Sequence, residues 1–394
     1  MHIMMSFWIG LTFIVVCLSM SYGEDWQRNE VIRLVEAMNK KNTHCLERKD
    51  EERRKRLGVC VTGQLSRLEL ESKIRRLISL NSEAYEIDMV FVLGTNTHFV
   101  NGETDAGGRA EWSAELIRKA VRHWAPRVAR VVVDAGPQLE RPYIELSYLQ
   151  ASDKPWLGKA RIESHVRQWW SLLRCWKHFI HLACKRQAPY QTFVKLRDDA
   201  FLLAPIILKN MNIQDLIVLP ECGNFAGYND KWAFLDATLG RAYFAMPVFE
   251  YYTNYSSLNM HKGNPENLLK RVLIKHQAPV SAVSVDILPI LTSRFRTNEI
   301  SGQTFPQNIT PASCFLFDQL KLGKEPHCWP SDCDRRRAIY CDRCTVKRQE
   351  WLRDHFLERD SEFNSEQKAA TCTAECRHRP ISITSFASFA SISK

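Results

Sequence analysis

The sequence predicts an α/β fold: a mostly parallel β-sheet with helices on both faces. Two observations lead there. Apolar, β-branched runs recur between residues 57 and 291, and runs with helical spacing separate them. The chain is also long and apolar enough for such a sheet to be covered, with 394 residues of which 45% are hydrophobic.

The elements follow in order. Phe7–Met20 reads FWIGLTFIVVCLSM without a charge, then Ser21-Tyr22-Gly23 supplies small residues and Glu24-Asp25 turns polar. This pattern is that of a signal peptide cleaved after Gly23. Extended from Ile3 to Tyr22, it is also nearly long enough for a membrane anchor. Both readings of residues 1–23 send the rest of the chain into the secretory pathway, as a secreted protein or a single-pass type II membrane protein. Setting Cys17 aside leaves twelve cysteines, an even number that suits an oxidising compartment. Sequons stand at Asn254 and Asn308.

Residues 24–56 are highly charged and lack Gly and Pro. They read as a stem, although Val31, Ile32, Leu34, Val35 and Met38 also give the apolar face of an ordinary surface helix. From Leu57 the alternation begins. Gly58–Thr62, Ile87–Leu93, Val128–Val133, Gln191–Leu196, Leu216–Leu219 and Val280–Leu291 read as strands. Leu68–Leu80, Glu115–Trp124, Glu163–Lys185, Leu235–Phe244 and Pro265–Lys275 read as helices, and Pro142–Pro155 as a loop. Residues 311–380 form a Cys-rich extension, and residues 381–394 a Ser/Phe/Ile tail that reads as disordered. Cys328, Cys333, Cys341 and Cys344 have paired spacing that suits disulfides or zinc.

The net charge of +10 favours anionic partners. The basic residues are not gathered into one patch interleaved with aromatics, so nucleic acid is not expected. The chain has no G-x-x-x-x-G-K-[ST] loop, no G-x-S-x-G elbow and no H-E-x-x-H, which argues against P-loop kinases, serine hydrolases and zincin proteases. Its sharpest chemical feature is Val194–Phe201, an apolar strand ending in Arg197-Asp198-Asp199. Two carboxylates at a strand end can hold Mn²⁺ or Mg²⁺ against a diphosphate, because hard cations take oxygen ligands and keep phosphate oxygens in their shell. An Asp pair also simply starts turns.

The segment Tyr190–Pro205 (YQTFVKLRDDAFLLAP) resembles the strand and D-x-D-type element of GT-A glycosyltransferases, most closely a poorly characterised eukaryotic GT-A-like set. Further stretches in the same order are similar to that set: Thr62–Arg67, Gln168-Trp169-Trp170 through Cys175 and His178, Gly227–Ala233, and Asn264–Leu269. The resemblance implies a Rossmann-like GT-A catalytic domain over residues 57–310. Its reaction is transfer of a hexose or N-acetylhexosamine from a nucleotide-diphosphate donor to a glycan or glycoprotein hydroxyl, in the Golgi lumen or after secretion. It implies Asp198 and Asp199 as metal ligands, Arg197 as a phosphate contact, and Thr62, Gly63 and Arg67 as nucleotide contacts. The family has a spaced D-x-D where this chain has an adjacent pair.

Asp230 is implied as an acceptor-binding carboxylate or general base, with an Asn229-Asp230 cap for a helix near Trp232 as the alternative. Glu266 is implied to orient the acceptor, although a first-turn Glu also answers the helix dipole. His261 and His276 read as surface histidines or as additions to the metal site. A non-enzymatic carbohydrate-binding protein on a decayed transferase fold is the rival expectation. A secretory-pathway kinase using Asp198 or Asp199 as its base would need a Gly-rich nucleotide loop and a distant Lys–Glu pair, and the sequence offers no convincing set.

Overall fold

In the computed structural model, residues 26–40, 54–95, 112–151, 158–202, 205–260, 262–284 and 287–292 are described, with short pairs at 103–104 and 295–296. The strands are β1 (Lys55–Gln64), β2 (Tyr85–Gly94), β3 (Glu103–Thr104), β4 (Arg130–Gly136), β5 (Thr192–Arg197), β6 (Ala200–Leu202), β7 (Ile217–Pro220), β8 (Ala233–Asp236), β9 (Val280–Val283), β10 (Ile290–Thr292) and β11 (Phe295–Arg296). Seven of them form one sheet in the order β4-β2-β1-β5-β8-β7-β9. Only β8 runs against its neighbours. The sheet is therefore mixed and mostly parallel.

Helices cover both faces. Helix α1 spans residues 26–40. A second helical run, α2, joins Glu71–Lys73, Ile74–Ile78 and Ser79–Asn81, with its middle turn π-helical. Then come α3 (Ala114–Trp124), α4 (Leu146–Gln150), α5 (Gly158–Arg186), α6 (Gly240–Phe244), α7 (Met246–Thr253) and α8 (Pro265–Lys275). On one face, Leu57, Val59 and Val61 of β1 pack with Ile74 and Ile78 of α2 and with Ile117 and Val121 of α3. On the other, Cys60 of β1 and Val90 of β2 pack with Trp169, Leu173 and Trp176 of α5 and with residues of α1, α6, α7 and α8. Strands covered on both sides read as continuous apolar runs, which is why β1 and β2 were legible without alternation.

The 29-residue helix α5 carries this architecture. Val166, Trp169, Leu173, Trp176 and Ile180 recur at three- and four-residue steps and are all buried, making a stripe that lies on the sheet. A disulfide between Cys60 and Cys175 fastens β1 to α5 across 115 residues of chain. Cys184 and Cys222 are also disulfide-bonded.

Several expectations are corrected. Residues 26–40 do not stand away from the domain as a stem. Val31, Val35 and Met38 are buried in the α5 core, and the Gln27 side chain bonds the backbone of Arg141 and Tyr143, each at 2.8 Å. The stretch Leu235–Phe244 starts as a strand rather than a helix: β8 runs to Asp236, and α6 begins only at Gly240. The loop Pro142–Pro155 contains α4, and Val280–Leu291 is split between β9 and β10. The N-terminal apolar segment, the Cys-rich extension and the tail lie outside the described residues.

Candidate active site

The sheet reverses its building direction at β1 and β5. From β1 the chain adds β2 and then β4 on one side, whereas β5 lies on the other. In an open α/β sheet, a crevice forms beyond the carboxyl ends of strands at such a switch point. Here β1 ends in Thr62-Gly63-Gln64, and β5 ends in Arg197 followed by Asp198-Asp199, with Thr62 level with Arg197. A pocket of about 250 Å³ opens there. Its walls include Thr62, Gly63, Arg67, Arg197, Asp230 and Glu266. Six predicted site residues from four separate stretches of sequence thus converge.

The acidic doublet does not join them. Asp198 and Asp199 sit behind the wall, 0% and 1% exposed. Arg197 grips Asp199 with two parallel hydrogen bonds, Nε to Oδ1 at 2.6 Å and a terminal nitrogen to Oδ2 at 2.7 Å. Asp198 Oδ2 accepts from the Gln64 backbone N–H at 2.8 Å and lies 2.8 Å from Arg67 Nε. Among the described residues its Oδ1 has no hydrogen-bond partner, with Arg197 Nε 3.9 Å away. Burial alone would raise Asp199, but the charge and hydrogen bonds of Arg197 outweigh it and hold the carboxyl at about 2. Asp198 is pushed up, by burial first and then by its acidic neighbour, against the pull of Arg67.

These residues do not fit a Mn²⁺ or Mg²⁺ ion in the pocket. Three of the four carboxylate oxygens already face a guanidinium, and the fourth, Asp198 Oδ1, is buried with Arg197 Nε 3.9 Å away. Among the described residues, no group of three or more His, Cys, Asp and Glu side chains could hold a metal. Asp198 and Asp199, implied as metal ligands by the resemblance, are on this geometry paired with Arg67 and Arg197. His276 bonds Glu250 at 2.8 Å at the far end of α8, and His261 lies outside the described residues.

Gly63 packs against the doublet. Its φ is +141°, and a Cβ there would lie 2.2 Å from Asp198 Cγ. The glycine makes room for the Asp198 carboxylate, and it also lines the pocket.

The opposite wall is built by a loop and a helix start. Asn264 caps α8, its Oδ1 accepting from the Asn267 N–H at 2.7 Å, and Pro265 fills the first turn. The same Asn264 donates to the Phe225 carbonyl at 2.9 Å, and Asn267 donates to the Ala226 carbonyl at 3.0 Å. Gly227 lies so close that a Cβ would meet the Glu266 carbonyl at 1.9 Å. No helix begins at Trp232, so the capping alternative for Asp230 falls: Asn229 Oδ1 instead accepts from the Lys231 N–H at 2.8 Å, and β8 follows.

This stitching places Asp230, Lys231 and Glu266 side by side. Lys231 Nζ donates to Asp230 Oδ1 at 3.1 Å and to Glu266 Oε1 at 3.0 Å. Gln168 of α5 donates to Asp230 Oδ2 at 2.6 Å. Burial would raise Asp230, but Lys231, Lys195 and the Gln168 bond hold it far below the usual carboxylate range. Glu266 is pushed up to about 7, by burial first and then by the charge of Asp230. Two carboxylates in one wall are thus driven apart in acidity, the arrangement that separates a fixed charge from a proton acceptor.

Sequence reasoning missed the α5 contribution. Arg161, Ser164, His165, Gln168 and Ser171 also line the pocket. Their three- and four-residue spacing forms a polar stripe on an otherwise aromatic helix, a signal present in the sequence. Lys231 was overlooked beside the acidic residue it serves.

No family model matches the sequence, and no curated protein matches it. Among solved structures, the chain is similar to mouse xyloside xylosyltransferase 1 in its apo form, with a TM-score of 0.27 and 9% identity, over 59% of this chain and 86% of that one.

Proposed function

We propose that the chain is a glycosyltransferase that moves a hexose or N-acetylhexosamine from a nucleotide-diphosphate donor to an acceptor hydroxyl on a glycan or glycoprotein, in the lumen of the secretory pathway or after secretion. The observation that carries this reading is the pocket beyond β1 and β5, where Arg67, Arg197 and Lys231 meet the carboxylates of Asp230 and Glu266. The cations suit the donor's diphosphate, and the carboxylates suit the acceptor hydroxyl.

In the proposed reaction, the acceptor oxygen forms a bond to the anomeric carbon as the bond from that carbon to the diphosphate oxygen breaks. The leaving diphosphate takes the electron pair, and Glu266 takes the hydroxyl proton. With its carboxyl near 7, Glu266 is matched to that exchange. Asp230 stays ionised and holds Lys231 in place. Catalysis then rests on positioning and on fixed positive charge aimed at the leaving group.

The test is hydrolysis of a panel of nucleotide sugars by the purified full chain, beside Glu266→Gln and Asp230→Asn. Turnover of one donor class is expected, falling by about 10²–10⁴ in Glu266→Gln. Undiminished turnover in Glu266→Gln removes that residue from the role. Binding of a donor with no turnover, even when candidate acceptors are supplied, favours the carbohydrate-binding reading.

A further inference from the structure

We infer that this site meets the donor's diphosphate with protein cations in place of a divalent metal, and that the Asp198-Asp199 doublet positions those cations. The inference rests on the nucleotide-sugar reading above and adds to it how the charge is handled.

Arg197 lines the pocket while two of its nitrogens hold Asp199, at 2.6 and 2.7 Å. Arg67 lines it while its Nε lies 2.8 Å from Asp198. Lys231 completes the set from the facing wall, pinned between Asp230 and Glu266. All three are held by buried acids, so little side-chain freedom is left to lose when an anion arrives. A planar guanidinium has five donors, and the two that grip Asp199 leave others for phosphate oxygens.

The doublet itself is locked from behind. The Asp198 carbonyl accepts from Lys73 Nζ and from the Glu69 N–H, each at 2.9 Å. The Gln64 N–H, a backbone donor at the strand end that would suit a phosphate, is already bonded to Asp198 Oδ2 at 2.8 Å. The anion at the tip of β1 is therefore this chain's own carboxylate. For a metal to use the doublet, Arg197 and Arg67 would both have to be expelled from buried ion pairs, leaving charges uncompensated.

The experiment is calorimetric titration of the purified full chain with UDP and with GDP as probes, in EDTA and in excess MnCl₂. The affinity for the probe that binds should agree between the two media within about threefold, a small difference in binding free energy. Arg197→Gln should weaken it by about tenfold or more in both media, as loss of a charge-assisted hydrogen bond requires. Asp199→Asn should weaken it in both media alike, because it only loosens the grip on Arg197. Thermal melts report folding, and Arg67→Gln, which leaves the Arg197–Asp199 pair intact, stands in if Arg197→Gln does not fold. Binding seen only with MnCl₂, and abolished by Asp199→Asn, overturns the inference and leaves the donor reading standing. Failure of both probes in both media removes the donor reading, and the inference with it.

Discussion

Gly63 couples the end of β1 to the end of β5. It adopts φ +141°, a conformation L side chains rarely take, and its missing Cβ is where Asp198 packs. Gly63→Ala should therefore cost about 1–3 kcal/mol from backbone strain alone. Displacement of Asp198, and of Arg67 with it, adds to that. A melting temperature equal to the parent's would show that the two strand ends do not depend on this contact. Glu266 makes a different prediction, through protons. Its carboxyl sits near 7 in the fold against an ordinary value of 4.5. Between those values the native state holds a proton that the unfolded chain has released. This group's contribution is then full below about 4.5 and is lost as pH rises through about 7, a change of about 3 kcal/mol. Glu266→Gln should flatten that decline in denaturant titrations across the window. A parent curve that rises with pH there, and a variant that tracks it, would contradict the assignment.

At the scale of elements, the pocket depends on the turn from Asn224 to Lys231 lying against the first turn of α8. Asn264 serves both, as cap of the helix and as donor to the loop. Asn264→Ala should cost about 1 kcal/mol as a lost cap. It should weaken donor binding further, because the loop that carries Asp230 and Lys231 is released. Circular dichroism melts and nucleotide titration separate the two effects; a melting shift with unchanged binding would place Asn264 in the helix alone. Both partners of this junction were legible in the sequence, one through Gly227–Ala233 and the other through Asn264-Pro265. Their contact was not, because Lys231 and Glu266 are 35 positions apart in sequence and no local pattern encodes the pairing. The reversed strand β8 was missed for a related reason. Trp232-Ala233-Phe234-Leu235 is a short, fully buried apolar run, which has neither the alternation of a half-buried strand nor the length of a helix. The doublet divides between the two cases. Asp199 is turned by Arg197, two residues before it, whereas the direction of Asp198 is set against Arg67 and Gly63, more than a hundred residues earlier, where no local pattern reaches.

At the scale of the whole molecule, one sheet separates two cores, and among the described residues charged and covalent ties hold α5 to it: Arg174 donates to Asp134 of β4 at 2.9 Å, and Arg186 lies 3.1 Å from Asp88 of β2. At the amino-terminal ends of the strands, Arg56 and Asp88 form a buried pair at 2.6 Å, with Tyr190 donating to Asp88 at 2.7 Å. That network lies at the opposite end of the strands from the pocket and is structural. Midway along β1, the Cys60–Cys175 disulfide ties α5 to the sheet just beyond the helix residues that line the pocket, Arg161 to Ser171. Because 115 residues separate the two cysteines, the cross-link removes much of the unfolded chain's freedom, about 4–5 kcal/mol in the chain-entropy picture. Cys60 and Cys175 are both fully buried, so two small apolar replacements leave little polar cost. The double variant Cys60→Ala/Cys175→Ala should thus lose stability by about that amount in urea titrations. Nucleotide affinity should hold under conditions where it stays folded, since the buried aromatic stripe of α5 still seats Gln168 and Arg161 at the pocket. If stability is unchanged, α5 is held by its packing and by its ion pairs to Asp134 and Asp88. If affinity collapses while the fold persists, the disulfide sets the position of the helix and is part of how the site is shaped.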